Sequence, residues 1–174
     1  MTALEGDLEV VFVSGSEEET ASLGRRIGRL LAAGDVVALT GELGAGKSVV
    51  ARGICEGLGI KQRTRSPSFA FVNRYRGPVD VFHVDLYRVE GTGDLATLGL
   101  DEILSGPNVT LIEWAEKLGR ALSTAALEIR IETAGEEERR ITIRGGTEGG
   151  RKIVRELSAA QGLRTPMGRG EQSK

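Results

Sequence analysis

Residues 36 to 48 read Val-Val-Ala-Leu-Thr-Gly-Glu-Leu-Gly-Ala-Gly-Lys-Ser, an apolar run followed by a glycine-rich segment that ends in Lys-Ser. The second part, Gly41 to Ser48, fills every fixed position of the phosphate-loop pattern G-x-x-x-x-G-K-[ST]. Val36 to Leu39 predicts a buried strand and Lys47 to Leu58 predicts a helix, which is the setting that this pattern requires. The stretch therefore predicts a nucleoside triphosphate site between a strand and a helix.

The loop residues have separate predicted roles. Backbone amides of a glycine-rich turn at the positive end of a helix bind phosphate oxygens. Lys47 is expected to reach the β and γ phosphates, where it also serves catalysis, and the Ser48 hydroxyl is expected to coordinate Mg²⁺. The predicted nucleotide contacts of this segment are Gly41, Glu42, Leu43, Gly44, Ala45, Gly46, Lys47, Ser48 and Val49.

Composition limits the class of protein. The chain has 174 residues, 40% of them apolar, which predicts one compact core. Its net charge of −2 predicts no general basic surface for binding DNA or RNA. Its one cysteine, Cys55, excludes an internal disulfide. An acidic beginning and the lack of a membrane-length apolar stretch favour a soluble, cytoplasmic protein.

The pattern along the chain predicts a mixed sheet flanked by helices. Leu8 to Val13 reads as a strand, and the helix after Ser16 carries an apolar stripe of Leu23, Ile27, Leu30 and Leu31. Phe69 to Tyr75 and Val79 to Val84 predict a hairpin, which is unlike a purely alternating α/β fold. Further predicted elements are two short helices within 93–104, a strand over 108–113, and a second hairpin, 127–132 with 139–144, that has one solvated face.

The end of the chain differs in composition from the rest. From Gly145 the sequence is rich in glycine and charge, with a short helix predicted over Ile153 to Ala160 and disorder over 161–174. We therefore expect a P-loop domain over residues 1–145 and a C-terminal extension over residues 146–174.

Two acidic residues follow buried strands directly. Asp85 ends the strand Val81 to Val84, and Glu113 ends the strand Val109 to Ile112. A partly buried carboxylate is costly without a cation or hydrogen bonds, so these two acids are candidates for Mg²⁺ binding and for polarising an attacking water.

Two features near Asp85 leave alternatives open. His83, the only histidine, shares the strand face of Asp85 and fits either a packing role or a lone catalytic base. Ser66-Pro67-Ser68 opens the first hairpin strand and fits either a switch segment that senses the γ-phosphate or an ordinary turn.

Taken together, these motifs resemble one family. Gly-Glu-Leu-Gly-Ala-Gly-Lys-Ser, Ser66 to Phe69, His83-Val84-Asp85-Leu86-Tyr87-Arg88, Leu98 to Leu100 and Ile112-Glu113-Trp114 resemble the bacterial TsaE (YjeE) family in order and spacing, over about residues 8–144. The resemblance implies an α/β, P-loop NTPase-like three-layer fold, Mg²⁺-dependent ATP hydrolysis, and association with TsaD and TsaB. TsaD carries the transfer of threonylcarbamoyl to adenosine 37 of tRNAs that read codons beginning with A, so contact with tRNA would be indirect.

The resemblance also implies roles for single residues. The acid matching Asp85 is implicated in hydrolysis, and the glutamate matching Glu113 binds Mg²⁺ together with the hydroxyl of Ser48. In the family the start of the first helix lies near the nucleotide, which makes Ser16 to Thr20, and Glu17 in particular, candidate contacts. Acids at a helix start are equally explained by the helix dipole. Ser68 is a further candidate, and both Ser48 and Ser68 stand where the family commonly has threonine.

Two rival functions remain at this point. A small-molecule kinase would use the same loop, with Arg63, Arg65 or Arg88 stabilising the transferred phosphate. A nucleotide-gated assembly module would bind ATP with only incidental hydrolysis.

Overall fold

The structure, a computed structural model, describes residues 8–91 and 97–162. Seven strands form one sheet in the order β1-β7-β6-β2-β5-β4-β3. The strands are β1 Glu9–Ser14, β2 Val36–Thr40, β3 Val72–Tyr75, β4 Val81–Asp85, β5 Val109–Glu113, β6 Leu127–Thr133 and β7 Arg139–Gly145.

The sheet has a parallel centre and antiparallel edges. Strand β2 runs parallel to β5 and β6, and β4 runs parallel to β5. Strands β3, β7 and β1 are each antiparallel to their neighbours. The predicted mixed α/β sheet, including both hairpins, is therefore confirmed, and the carboxyl ends of the parallel strands share one edge.

Helices cover both faces of this sheet. The helical elements are α1 Glu17–Gly28, α2 Lys47–Gly57, α3 Leu100–Ser105, a 3-10 segment over Ala115–Thr124, and α4 Glu148–Gly162. Residues of α1, α2 and α4 share the larger hydrophobic core with one sheet face. Residues of α3 and the start of the 3-10 segment pack on the opposite face of the central strands.

Helices α1 and α2 touch through their backbones. A β-carbon added at Gly53 would lie 2.3 Å from the carbonyl oxygen of Ala21, and one added at Gly24 would lie 2.6 Å from that of Val50. Only glycine permits this approach, because any side chain at these positions would overlap backbone atoms. The close contact fixes α2, and the phosphate loop before it, against α1.

Some predicted boundaries are wrong. Strand β3 begins at Val72 and not at Phe69, because the chain turns here: the Phe71 amide donates to the Pro67 carbonyl at 2.8 Å, and Phe71 has φ 62°. Helix α1 ends at Gly28, so Leu30 and Leu31 of the predicted stripe lie beyond the end of the helix. Of the two short helices predicted within 93–104, the second is α3, while residues 92–96 lie outside the described residues.

The C-terminal helix is longer than predicted. Helix α4 begins at Glu148 and includes Gln161 and Gly162, so disorder from Gln161 is wrong for those two residues; the rest of the predicted tail lies outside the described residues. Three buried side chains of α4 join the main core: Ile153, Val154 and Leu157. The domain boundary at residue 145 stays a prediction. None of the described helices has the length and apolar character needed to cross a membrane.

Candidate functional site

The phosphate-loop segment ends at the first turn of α2. Gly46 is the N-cap of that helix in a left-handed conformation, with φ 113°, and no side chain caps the helix. The first amides of an α-helix have no partners within the helix, and they carry the positive end of its dipole. The start of α2 is therefore suited to an anion, as the sequence predicted.

Lys47 is folded back over this loop. Its Nζ donates to the carbonyl oxygens of Gly41 at 2.6 Å and Glu42 at 2.8 Å. Desolvation by burial lowers the pKa of Lys47, while the charges of Glu113, Glu116 and Asp85 act in the opposite direction. These acids favour the charged ammonium, the form that binds phosphate.

Ser48 and Glu113 are in direct contact. The Ser48 hydroxyl lies 3.1 Å from Oε1 and 3.0 Å from Oε2 of Glu113, which is buried at the end of β5. A hydroxyl has one hydrogen and two acceptor lone pairs, so Ser48 can donate to the carboxylate and still offer a lone pair to a cation. The structure thus brings together the two residues predicted to bind the metal.

Asp85 is fixed by three donors. Its Oδ2 accepts from the Ser66 hydroxyl at 2.6 Å and the Ser68 hydroxyl at 3.5 Å, and its Oδ1 accepts from the Tyr87 amide at 2.9 Å. Asp85 is paired in register with Glu113 on the neighbouring strand β5. The two acids therefore stand side by side at the carboxyl edge of the sheet, with the Ser66–Ser68 segment held against one of them.

One cavity of about 510 Å³ joins these groups. That size is typical of a small-molecule site. The lining includes the loop and α2 residues Leu43, Gly44, Gly46, Lys47, Ser48 and Val49, the acids Asp85 and Glu113, and Ser66, Ser68, Phe69, Tyr87, Arg88 and Trp114. The residues predicted for catalysis and metal binding thus line one cavity, together with Ser68 and part of the predicted phosphate loop. Three predicted loop contacts do not line it: Gly41, Glu42 and Ala45.

Large apolar side chains stand exposed at the mouth of this cavity. Leu43 is 74% exposed and Phe69 is 82% exposed, and Tyr87 is also exposed. The Arg88 guanidinium lies over the Phe69 ring, 4.3 Å from its centroid. We call Leu43, Phe69 and Tyr87 the apolar rim. A cluster of exposed apolar groups beside a polar site is typical of a protein-binding surface.

Glu17 lies at a second cavity on the other side of the loop. This space of about 300 Å³ is also lined by Ala45, Gly46 and Arg139. Glu17 itself is exposed and pairs with Arg52 at 2.7 Å. Arg139 donates through Nε to the carbonyl of Ala45 at 3.0 Å, so it supports the loop from β7. Arg139 could not be singled out from the sequence, because an arginine in an alternating strand carries no separate signal.

The residues present fit Mg²⁺. A hydroxyl and a carboxylate in contact supply hard oxygen donors, and Mg²⁺ usually takes only one or two protein carboxylates, completing its shell with phosphates and water. Among the described residues there is no cluster of three or more histidine, cysteine or acidic side chains, as a metal site built from protein alone would need.

Comparisons with known proteins agree on one family. The profile described as "Threonylcarbamoyl adenosine biosynthesis protein TsaE" matches residues 14–141. The chain is similar to TsaE of Bacillus subtilis, with 40% identity covering 72% of this chain and 78% of that protein, and to TsaE of Treponema pallidum, with 36% identity covering 75% and 97%. Its fold resembles the crystal structure of Bacillus subtilis YdiB with a TM-score of 0.74 and 30% identity, covering 89% of this chain and 97% of that one.

Proposed function

The chain belongs to the TsaE family of tRNA threonylcarbamoyladenosine biosynthesis, and on that premise we propose that it is a cytoplasmic, Mg²⁺-dependent ATPase subunit of the modifying machinery. The observation that carries the proposal is the contact between the Ser48 hydroxyl and the Glu113 carboxylate, directly after Lys47 in the first turn of α2. A loop hydroxyl, a strand-end acid and a loop lysine are the groups that a phosphate-loop ATPase needs together.

In this proposal the loop binds the triphosphate. The amides at the start of α2 hold phosphate oxygens, and Lys47 exchanges its bonds to the Gly41 and Glu42 carbonyls for bonds to phosphate. Ser48 and Glu113 hold Mg²⁺, which when bound neutralises charge on the phosphates. Burial of Lys47 strengthens its attraction for phosphate, because charges interact more strongly away from water.

Asp85 would orient the attacking water. Its position at the end of β4, beside Glu113, places a carboxylate at the cavity, and its bonds from Ser66 and the Tyr87 amide fix the direction of that carboxylate. A positioned carboxylate can accept a proton from water or align it for attack. The Ser66–Ser68 segment would then respond to the state of the nucleotide through its contact with Asp85.

We further propose that hydrolysis drives a cycle of TsaD and TsaB, and that this chain reaches tRNA only through them. The apolar rim supports a protein partner at the mouth of the cavity, because exposed Leu43 and Phe69 gain stability when covered. The net charge of −2 favours contact with tRNA through partner proteins, since proteins that bind nucleic acid directly usually carry a basic surface.

Reconstitution tests the proposal. This protein is combined with TsaD, TsaB, threonylcarbamoyl-adenylate and tRNA, and phosphate release and modified adenosine 37 are counted with ATP and Mg²⁺. We expect repeated rounds of modification that need ATP, and loss of both readouts in Lys47→Ala. The matched control is Lys152→Ala, which changes an exposed lysine of α4 and leaves both readouts intact.

Two results would contradict the proposal. Modification that continues through many rounds without ATP would remove the need for hydrolysis. Labelled phosphate that passes from ATP to an acceptor other than water would favour the kinase alternative, in which Arg88 at the mouth of the cavity would contact the transferred group.

A further inference from the structure

The Glu113 carboxylate has a second donor behind the proposed metal site. The Nε2 atom of His83 lies 2.7 Å from Oε1 of Glu113, and both side chains are buried, with 3% and 4% exposed. His83 is paired in register with Leu111, so Glu113 lies two residues further along the neighbouring strand and on the same sheet face. The imidazole therefore reaches diagonally across the sheet to the acid.

The direction of this hydrogen bond follows from its chemistry. A carboxylate can only accept, so the proton of the bond is on Nε2 of His83. Nδ1 of the same ring is buried and has no hydrogen-bond partner among the described residues. A proton there would be a buried donor without an acceptor, which is costly. The surroundings thus select the tautomer that donates to Glu113.

This bond helps to fix the orientation of the Glu113 carboxylate at the cavity. Among the described residues, the carboxylate accepts hydrogen bonds from only two side chains, His83 and Ser48. His83 bonds to Oε1 from the protein interior, while Ser48 spans both oxygens from the loop. Without His83, the buried Oε1 would lose its closer partner, and only the longer contacts with Ser48 would restrain rotation of the carboxylate about its terminal bond.

We propose that His83 is a positioning residue for Mg²⁺: by donating Nε2–H to Oε1, it holds the Glu113 carboxylate beside the Ser48 hydroxyl and raises the affinity of the pair for the ion. The inference rests on the proposed function, because that function makes Ser48 and Glu113 the metal site. Residues that hold a metal ligand in place typically contribute about 10- to 100-fold to metal affinity or activity. In this role His83 acts through Glu113 and is not itself a metal ligand.

Three substitutions separate positioning from packing. His83→Leu fills the space without a donor. His83→Gln keeps an amide donor at nearly the distance of Nε2. His83→Asn keeps an amide that is one bond too short to reach Glu113. Mn²⁺ serves as the probe, its binding measured by electron paramagnetic resonance at saturating ADP, and ADP binding in EDTA is measured separately by calorimetry.

We expect His83→Leu and His83→Asn to weaken Mn²⁺ binding about 10-fold or more while ADP binding in EDTA is unchanged. His83→Gln should recover most of the Mn²⁺ affinity. Thermal unfolding establishes that each variant is folded at the temperature used. If His83→Leu does not fold, the proposal is tested by the difference in Mn²⁺ affinity between His83→Gln and His83→Asn.

The possible failures can be told apart. If wild-type protein with ADP binds no Mn²⁺, both the proposed function and this inference are wrong. If wild type binds Mn²⁺ and folded His83→Leu or His83→Asn binds it equally well, only the inference is overturned. Equal losses of ADP binding with metal and in EDTA would also overturn it, because they would assign His83 to packing.

Discussion

The ammonium nitrogen of Lys47 lies 3.9 Å from the centroid of the Trp114 ring, and both residues line the candidate site. A cation over an indole face is attracted by the ring, and this is the only tryptophan of the chain. Trp114 directly follows Glu113 and has φ 58°, a conformation that bulky residues seldom adopt. This backbone turn aims the ring at the loop lysine from the end of β5.

Tryptophan emission should therefore report nucleotide binding. We expect saturating ATP to change the emission of Trp114, because Lys47 leaves the loop carbonyls for phosphate and its distance from the ring changes. Lys47→Ala should change the emission of the protein even without nucleotide, since it removes the cation that faces the indole. Unchanged wild-type emission at an ATP concentration that calorimetry shows to be saturating would contradict this prediction.

Replacing Asp85 should separate binding from hydrolysis. Asp85→Asn keeps the shape of the side chain but weakens its ability to align or accept a proton from water, so we expect hydrolysis to fall about 100-fold or more with ATP affinity little changed. The matched control is Asp80→Asn, which alters an ion pair with Arg74 at the opposite end of β4. Phosphate release and calorimetric ATP binding are measured on all three proteins.

The same variant distinguishes a rival function. If Asp85→Asn binds ATP, does not hydrolyse it and still supports many rounds of tRNA modification, the protein acts as a nucleotide-gated assembly module.

Substitution of the apolar rim should weaken assembly. Phe69→Ser removes the most exposed large apolar side chain at the mouth of the cavity, and we expect weaker binding to a TsaD–TsaB complex with unchanged ATP binding by the isolated protein. Val13→Ser is the matched control, because Val13 is 60% exposed on edge strand β1, away from the cavity. If Phe69→Ser and wild type bind the TsaD–TsaB complex with equal affinity in calorimetric titrations, the apolar rim is not part of the interface.

A methyl group between α1 and α2 should destabilise the fold. Gly53→Ala gains helix propensity, but its β-carbon would meet the Ala21 carbonyl oxygen at 2.3 Å, so the helices must separate. We expect a net loss of about 1–3 kcal/mol in the free energy of unfolding, measured by urea denaturation. Gly149→Ala is the control: its β-carbon meets only Thr147 Oγ1 at an ordinary 3.7 Å, and its stability should be unchanged or slightly higher.

The buried thiol should make stability fall at alkaline pH. Burial raises the pKa of Cys55 from 9.0 to about 12. Above about pH 9 the unfolded chain loses this proton while the folded chain keeps it, so the folded state binds more protons and the free energy of unfolding falls as pH rises. Urea denaturation between about pH 8 and pH 10 should show a steeper fall for wild type than for Cys55→Ala. Parallel slopes would contradict the assignment.

Sequence predicted the sheet, and the proximity of Asp85 and Glu113 to the loop, because both depend on local patterns. The loop motif, the buried strands and the acids at their ends are each contained within a few residues. Asp85 and Glu113 could be placed near the loop because the carboxyl ends of parallel strands meet at one edge. The register itself, which puts the two acids side by side, has no signal within either strand.

The features that sequence did not predict depend on contacts between distant segments. Arg139 supports the loop through the Ala45 carbonyl, 94 residues away, and Phe71 is turned out of β3 by its bond to the Pro67 carbonyl. Helix α4 begins at Glu148, where pairs with Arg151 and Arg155 favour a first turn that its glycines would otherwise disfavour. The pairing of His83 with Glu113 likewise needed the strand order.

The two walls of the cavity differ in stiffness, because the backbone contact between α1 and α2 fixes only one of them. Helices α1 and α2 touch backbone to backbone at Gly24 and Gly53 and are also joined by the ion pairs Arg25–Glu56 and Arg52–Glu17, so we expect one to shift only with the other. The wall that carries Lys47 is thus anchored to a two-helix block, whereas the facing wall, Ser66 to Phe69, is a short turn held to Asp85 by hydroxyl groups. We therefore expect a bound ligand to displace the second wall more than the first, and a partner that contacts Phe69 would be affected directly by that displacement.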